Sequence, residues 1–334
     1  MHPRMWTCLD RSGLKVQPGG FYVDPARVVS TAVVTHGHAD HARAGHTTVV
    51  ATPETHALMR ARYGAKYCER AVELRLHESL TLGEVEITFY PAGHVMGSAQ
   101  VQLNYRGSRL AVSGDYKRGG GDPTCADYEP VPCDVFLTEA TFAYPLFRFP
   151  NPEWELERLL QSMLQFADRA HLLEVYSLGK AQRLIAMLRA AGWQHPLYAH
   201  SSILAINEVY ENFGVDLGEV RPLAEFRQME NRERAALLLN PPHVQLPLQA
   251  NPDGRMLYCS ASGWNAVRKH ARSRRVDLPL VVSDHCDWDE LRQSIHATGA
   301  SEVWVTHGPA DSLREWAKES TDLRVLDLKE VWNA

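Results

Sequence analysis

The chain has 334 residues, 45% of them hydrophobic and 22% charged, with 35 Lys and Arg against 40 Asp and Glu for a formal net charge of −5. Those proportions are globular, exclude a disordered, collagenous or coiled-coil chain, and give a length of about two domains or one large one. No run approaches the ~18 consecutive apolar residues of a membrane span, and the negative charge, taken alone, argues against nucleic acid as a partner.

Residues 32–35 and 48–51 read as short apolar strands, and the spacing of Leu58 and Met59 suits a helix over 55–63. Val85-Glu86-Ile87-Thr88-Phe89 alternates with period two, as a half-buried strand should. Val101 to Tyr105 does the same, turns at Arg106-Gly107 and returns through 110–112. Residues 135–137 form a buried strand ending at Glu139. The character changes near Pro145. Asn151 is a good N-cap with Pro152 at the first helical position, and Trp154, Leu156, Leu159, Leu160, Met163 and Phe166 keep helical spacing. A strand at 172–176, a helix at 181–191 stopped by Gly192, a strand at 197–199 and a helix at 203–212 then alternate, the pattern of a parallel α/β unit. Later strands are expected at 236–239, 256–259, 280–282 and 303–305, most followed by helices, with a Pro-rich irregular connection at 241–252. There is no internal repeat.

Histidine is the compositional outlier, with 16 residues unevenly spread. The six cysteines contain no CxxC pair, so they read as free thiols of a reducing compartment. The N-terminus lacks the apolar core of a secretory signal, and a cytoplasmic location is expected. Thr35-His36-Gly37-His38-Ala39-Asp40-His41 follows a strand directly and puts three imidazoles and a carboxylate in six residues. A strand end opening into a loop lets such side chains diverge toward two cations, and the donor set suits Zn²⁺, with Mn²⁺ or Fe as alternatives. The bland reading is a polar surface turn. Gly93-His94-Val95-Met96-Gly97-Ser98, Ser113-Gly114-Asp115, Ser283-Asp284-His285 and Thr306-His307-Gly308 also each close an apolar strand. Singly, these would be caps or turn formers. Together they occupy one kind of position, and loops at one edge of a sheet converge into a rigid platform. Other histidines, such as His56, His171 and His243, lack this placement.

HxHxDH, then GHxxGS, then SGD resembles the metallo-β-lactamase superfamily, which includes lactamases, thioesterases, oxidoreductases and nucleases. The resemblance implies an α/β fold: an αββα sandwich with a dinuclear site. Thr138-Glu139-Ala140-Thr141, Ser283-Asp284-His285 and Thr306-His307-Gly308 resemble motifs A, B and C of its β-CASP group, whose members cleave nucleic acid phosphodiesters. That implies a parallel α/β (β-CASP) domain inserted at 147–275 between two segments of the sandwich, 1–146 and 276–334. Phe21-Tyr22-Val23-Asp24-Pro25, Glu139-Ala140-Thr141-Phe142 and Val175-Tyr176-Ser177-Leu178-Gly179-Lys180-Ala181-Gln182 look most like the bacterial ligase-associated DNA exonucleases, relatives of the Artemis-type repair nucleases.

By that resemblance His36, His38 and His94 hold one metal, Asp40, His41 and His307 the other, and Asp115 bridges. A hydroxide between the metals is the expected nucleophile, since metal binding lowers the pKa of water toward ~7. His285 is the expected general acid and Glu139 its orienting partner. Asp24 is expected to hydrogen-bond a loop or ligand histidine. Ser177 and Lys180, at a strand-to-helix junction that is not a Walker loop, are the expected anchors for a terminal phosphate, with Arg148 and Arg183 as possible assistants. The implied substrate is DNA, in single strands or frayed ends, cut from a 5′ end. A DNA ligase and a helicase of the same repair pathway are the implied partners. Two divalent cations would offset most of the negative charge, which frees the basic run Arg268-Lys269-His270-Ala271-Arg272-Ser273-Arg274-Arg275 for a phosphate track, although such a run is usually a solvated helix face. Trp264 is the one aromatic that stands near it. One departure matters: His307 occupies a position that is apolar in Artemis-type enzymes and histidine in RNA-cleaving members. An RNA nuclease is therefore the alternative within enzymes. A small-molecule hydrolase would not need the insertion, and a non-catalytic nucleic-acid-binding scaffold would not need a full ligand set.

Overall fold

A computed structural model describes residues 1–228, 236–242, 244, 256–320 and 322–332. Most of the connection expected at 241–252, with His243, lies outside the described residues. The chain divides into two units, Met1–Phe147 together with His285–Ala334, and Arg148–Asp284.

The first unit opens with β1 (Thr7–Asp10), β2 (Gly13–Val16), β3 (Phe21–Val23), β4 (Thr31–Val33) and β5 (His46–Ala51), followed by α1 (Pro53–Tyr63). Then come β6 (Cys68–Glu73), β7 (Ser79–Leu82), β8 (Val85–Pro91), β9 (Ala99–Tyr105), β10 (Ser108–Val112) and β11 (Val135–Glu139). The second unit contains α2 (Pro152–Gln165), β12 (His171–Glu174), α3 (Lys180–Ala190), β13 (Leu197–Ala199), α4 (Ser201–Asn212), β14 (Val220–Pro222) and α5 (Leu223–Gln228). It closes with β15 (Leu237–Asn240), β16 (Leu257–Ala261), α6 (Arg268–Ser273) and β17 (Leu278–Leu280). The first unit resumes with α7 (Trp288–Thr298), β18 (Glu302–Thr306), α8 (Asp311–Ser320) and β19 (Arg324–Asp327).

Two sheets form the first unit, one in the order β1-β2-β3-β4-β5-β6 and one in the order β19-β18-β11-β10-β9-β8-β7. Strand alternation explains how they face each other. In β5, Val50 points into the cluster shared with Ile87, Phe89, Val101, Leu103 and Trp304, while Val49 and Ala51 point the other way, onto Met59 of α1. The second sheet does the same: Leu137 and Trp304 face the first sheet, and Phe136, Val303 and Val305 pack on Trp288, Leu291, Ile295 and Leu313 of α7 and α8. The result is the expected αββα sandwich.

Strand direction then places the loops. β4 runs parallel to β3 and β5, and β10, β11 and β18 run parallel to one another. β8 is antiparallel to β9, which is antiparallel to β10, so β8 and β10 point the same way. The segments carrying His94, Asp115, Glu139 and His307 therefore all leave one edge of the second sheet.

The second unit is a parallel sheet in the order β14-β13-β15-β12-β16-β17, alternating with helices as expected. Asn151 caps α2 by accepting from the Glu153 N–H at 2.9 Å, with Pro152 inside the first turn. Two expectations shift. The strand expected at 280–282 is β17, paired to β16 from Cys259↔Leu278 to Ala261↔Leu280, and the unit runs on to Asp284 rather than ending at 275. Pro279 hid this strand, because proline is tolerated only on an edge, and β17 is one. β1, β2, β3, β6, β7, β14 and β19 add to the strands expected from sequence; β1 and β6 are largely exposed and show no alternation. All six cysteines are free. Among the described residues no helix is long and apolar enough to cross a membrane.

Directly after His285, Asp287 caps α7. Its carboxylate accepts from the N–H groups of Asp289 and Glu290 at 3.0 and 2.9 Å, and Glu290 reciprocates to the Asp287 N–H at 2.9 Å. Asp287→Ala should lower unfolding free energy by about 1 kcal/mol, read by chemical denaturation against the wild type.

Candidate metal centre

His36 Nε2, His38 Nδ1, His94 Nε2 and Asp115 Oδ2 converge at one point on the sandwich edge. The His38 nitrogen lies 3.1 Å from that of His36 and 3.0 Å from that of His94, and the Asp115 oxygen is 3.6 and 3.7 Å from the His36 and His94 nitrogens. The other carboxylate oxygen, Asp115 Oδ1, faces a second group, 3.5 Å from His41 Nε2 and 3.6 Å from His307 Nδ1. A single carboxylate thus belongs to both donor groups. Asp40 Oδ2 lies 3.7 Å from His41 Nε2, on a side chain that is 72% exposed. The structure brings His36, His38, His41, His94, Asp115 and His307 together at this edge, with Asp40 at its rim.

A network behind the donors fixes their orientation. His41 donates its Nδ1–H to Asp24 Oδ2 at 2.7 Å. The same carboxylate accepts the Thr35 N–H at 2.8 Å and the Thr35 hydroxyl at 2.6 Å. With its proton given to Asp24, Thr35 Oγ1 is left to accept from His36 Nδ1, 3.0 Å away. Both histidines therefore turn Nε2 toward the centre. Arg62 holds the Gly37 carbonyl at 2.7 Å, and Ser98 Oγ accepts from the N–H groups of His94 and Val95 at 3.2 and 3.3 Å. Thr35, Arg62 and Ser98 were not singled out by sequence; the signal for Thr35 and Ser98 was only their place inside the two histidine motifs.

These donors fit divalent cations. His41 Nε2 and Asp115 Oδ1 are buried polar atoms with no hydrogen-bond partner, which is costly unless a ligand satisfies them. His38 Nδ1 faces two imidazole nitrogens at once, and one ring proton serves both poorly. Tetrahedral bonds of about 2.0–2.1 Å would set donor separations of about 3.4 Å, within the observed spread.

With protein groups alone acting on it, burial pushes His41 down, but Asp24 and Asp115 outweigh it and hold the ring at about 10. Burial alone would raise Asp115; the histidines around it, His41 first, instead draw its carboxyl well below the usual range. Desolvation drives His36 well below its ordinary value. At neutral pH, His41 then carries a proton that a cation must displace. Titration of the apo chain with Zn²⁺ should therefore release protons, and apparent affinity should fall as pH drops from 8 to 6. Calorimetry in buffers of different ionisation enthalpy reads this.

On the same edge His285 donates Nδ1–H to Glu139 Oε1 at 2.8 Å, and its ring centroid is 4.8 Å from that of His94. Glu139 is buried. Its Oε1 also accepts the Tyr116 N–H at 3.2 Å, and its Oε2 accepts both the N–H and hydroxyl of Thr141. Beside His41 and His307 opens a cavity of about 230 Å³ walled by Leu14, Val23, Val112, Leu137 and Leu328.

Ser177 and Lys180 belong to the second unit. Ser177 Oγ lies 2.9 Å from Ser202 Oγ. Lys180 is buried, 3.5 Å from Asp284 Oδ2 and over the Tyr176 ring, so a phosphate there would share the ammonium with a carboxylate. Arg183 donates to the Ser283 carbonyl at 3.1 Å and lies 3.7 Å from Asp284. In the basic run, Arg274 is committed to Glu174 at 2.6 and 2.7 Å, while Arg268, Lys269, Arg272 and Arg275 are exposed. Trp264 is 44% exposed.

A two-sheet sandwich that gathers histidines and aspartates from its strand ends defines the metallo-β-lactamase fold, here with a β-CASP insertion. The model of the beta-lactamase superfamily domain matches residues 7–173, and the chain belongs to that superfamily. It is 28% identical over 332 residues to a probable DNA ligase of Opitutus terrae, covering 94% of this chain and 30% of that protein. It is 33% identical over 122 residues to the endoribonuclease ysh-1 of Neurospora crassa, covering 35% and 14%. The chain thus spans less than a third of the length of either relative. A crystal structure of a protein of unknown function from Enterococcus faecalis shares the fold, with a TM-score of 0.58 at 13% identity over 89% of this chain and 78% of that one.

Proposed function

We propose that this chain is a metal-dependent nuclease that hydrolyses DNA phosphodiester bonds, acting as a 5′ exonuclease in DNA repair. The observation that carries the reading is the pair of donor groups sharing Asp115, with the His285–Glu139 pair on the same edge. In this reading His36, His38 and His94 would hold one cation, His41, His307 and Asp40 would hold the other, and Asp115 would serve both. Zinc suits the imidazole-rich set, with manganese as the alternative. When bound, such cations activate water at neutral pH and neutralise charge on a phosphoryl group. Everything else falls to the chain. Glu139 accepts the His285 Nδ1–H and fixes the ring, and in the imidazolium form Nε2 gives its proton to the leaving oxygen. Asp24 holds His41. Within the second unit, Ser177 and Lys180 are the proposed anchors for a terminal phosphate, and the exposed cations at 268, 269, 272 and 275 the proposed phosphate contacts.

The near full-length match to a protein named a probable DNA ligase supports DNA over RNA, and supports a ligase as the partner in the same pathway. One observation favours the second reading, an RNA nuclease: His307 Nδ1 stands 3.6 Å from Asp115 Oδ1, a histidine at the position where the RNA-cleaving members carry one. Digestion of end-labelled single- and double-stranded DNA carrying 5′-phosphate or 5′-hydroxyl, beside matched RNA, across Zn²⁺, Mn²⁺ and Mg²⁺, tests both. The expected result is shortening of DNA from the 5′ end. A strong preference for RNA would overturn the choice of substrate, and intact substrates with a metal-loaded protein would favour a scaffold.

A further inference from the structure

One carboxylate, Asp24, touches His41 of one donor group and reaches the other only through Thr35. It receives His41 Nδ1–H directly, and it receives the Thr35 hydroxyl, whose oxygen stands 3.0 Å from His36 Nδ1. His41 faces one oxygen of Asp115 and His36 faces the other. Thr35 has no freedom to do otherwise. It is buried, its N–H is held by the same carboxylate, and its side chain is pressed against Gly114. A Cβ at Gly114 would lie 2.8 Å from both Thr35 Cβ and Oγ1, and Gly114 sits at φ 57°, so the residue before Asp115 must be glycine.

We infer that Thr35 is a positioning residue that lets the single carboxylate of Asp24 orient ligands of both metals, His41 by contact and His36 through the Thr35 hydroxyl. The inference rests on the dinuclear reading. A ligand histidine normally gives its second N–H to a carboxylate or carbonyl, which fixes the tautomer and sharpens the aim of the coordinating nitrogen. Here two histidines draw on one such group, so the two half-sites are linked through four side chains in series: His36, Thr35, Asp24 and His41. The threonine methyl and hydroxyl have separate tasks. The methyl packs, and the hydroxyl carries a proton in one direction only, toward Asp24, leaving its lone pair for His36.

The test uses the full chain, stripped of metal and titrated with Zn²⁺ against a chromophoric chelator. Thr35→Val keeps shape and removes the hydroxyl; Thr35→Ser keeps the hydroxyl and removes the methyl; Asp24→Asn alters the shared group. Wild type and Thr35→Ser should each take up two zinc ions with similar affinity. Thr35→Val should weaken the His36 half-site by about 10–100-fold and the His41 half-site by less, and Asp24→Asn should weaken both. Nitrogen-15 correlation spectra of the zinc-loaded chain should show His36 protonated at Nδ1 in the wild type and in Thr35→Ser. Two undiminished sites in Thr35→Val would overturn the relay. So would loss confined to the His41 half-site in Asp24→Asn, or loss in Thr35→Ser with none in Thr35→Val. A wild type that takes up no zinc would instead overturn the dinuclear reading itself.

Discussion

Asp115→Asn should reduce zinc content from two ions per chain to fewer than one and lower phosphodiester hydrolysis by at least about 10³-fold. Asp115 is buried between the two donor groups, with Oδ2 near His36 and His94 and Oδ1 near His41 and His307. An amide turns a donor nitrogen toward one of the groups and removes the charge that balances the other. Elemental analysis after extraction and reconstitution reads the first effect, and turnover of a labelled strand reads the second. Circular dichroism should stay unchanged, because Asp115 lies beyond the end of β10 and the sandwich core does not depend on it. A variant that keeps two ions would remove Asp115 from the centre.

His285→Ala should do the opposite to metal and nearly the same to turnover. It should keep both ions yet lose about 10²–10⁴-fold in rate with an alkoxide leaving group. The ring is held by Glu139 at 2.8 Å, and Glu139 is itself fixed by Tyr116 and Thr141, so Nε2 has one direction in which to deliver a proton. A nitrophenolate ester leaves without protonation, and on it the variant should approach wild-type rate. Equal losses on both substrates would end the acid role. Loss of metal in His285→Ala would make it a ligand instead. Together the two variants separate holding the cations from moving the proton.

Much of the centre was legible because its residues cluster in short motifs after apolar strands. The strand ends at Val33, Pro91, Val112, Glu139 and Thr306 lie close to the positions that apolar patterning indicated. Alternation along β8 and β9 was equally plain, since each has one face in the sandwich core. β1 and β6 of the first sheet were not, because both are largely exposed and leave no period to detect. β17 was displaced by its proline.

Residue type and order along the chain determined which chemistry is available: imidazoles and carboxylates in bursts, each at the end of an apolar run. Only the fold decided that the two oxygens of Asp115 face different groups, that Asp24 and Thr35 stand behind them, and that Lys180 is already paired with Asp284. The reason is physical. Patterning reports which side of a strand is dry, whereas partnership between side chains as far apart in sequence as Glu139 and His285 is set by strand direction and packing, which no local window contains.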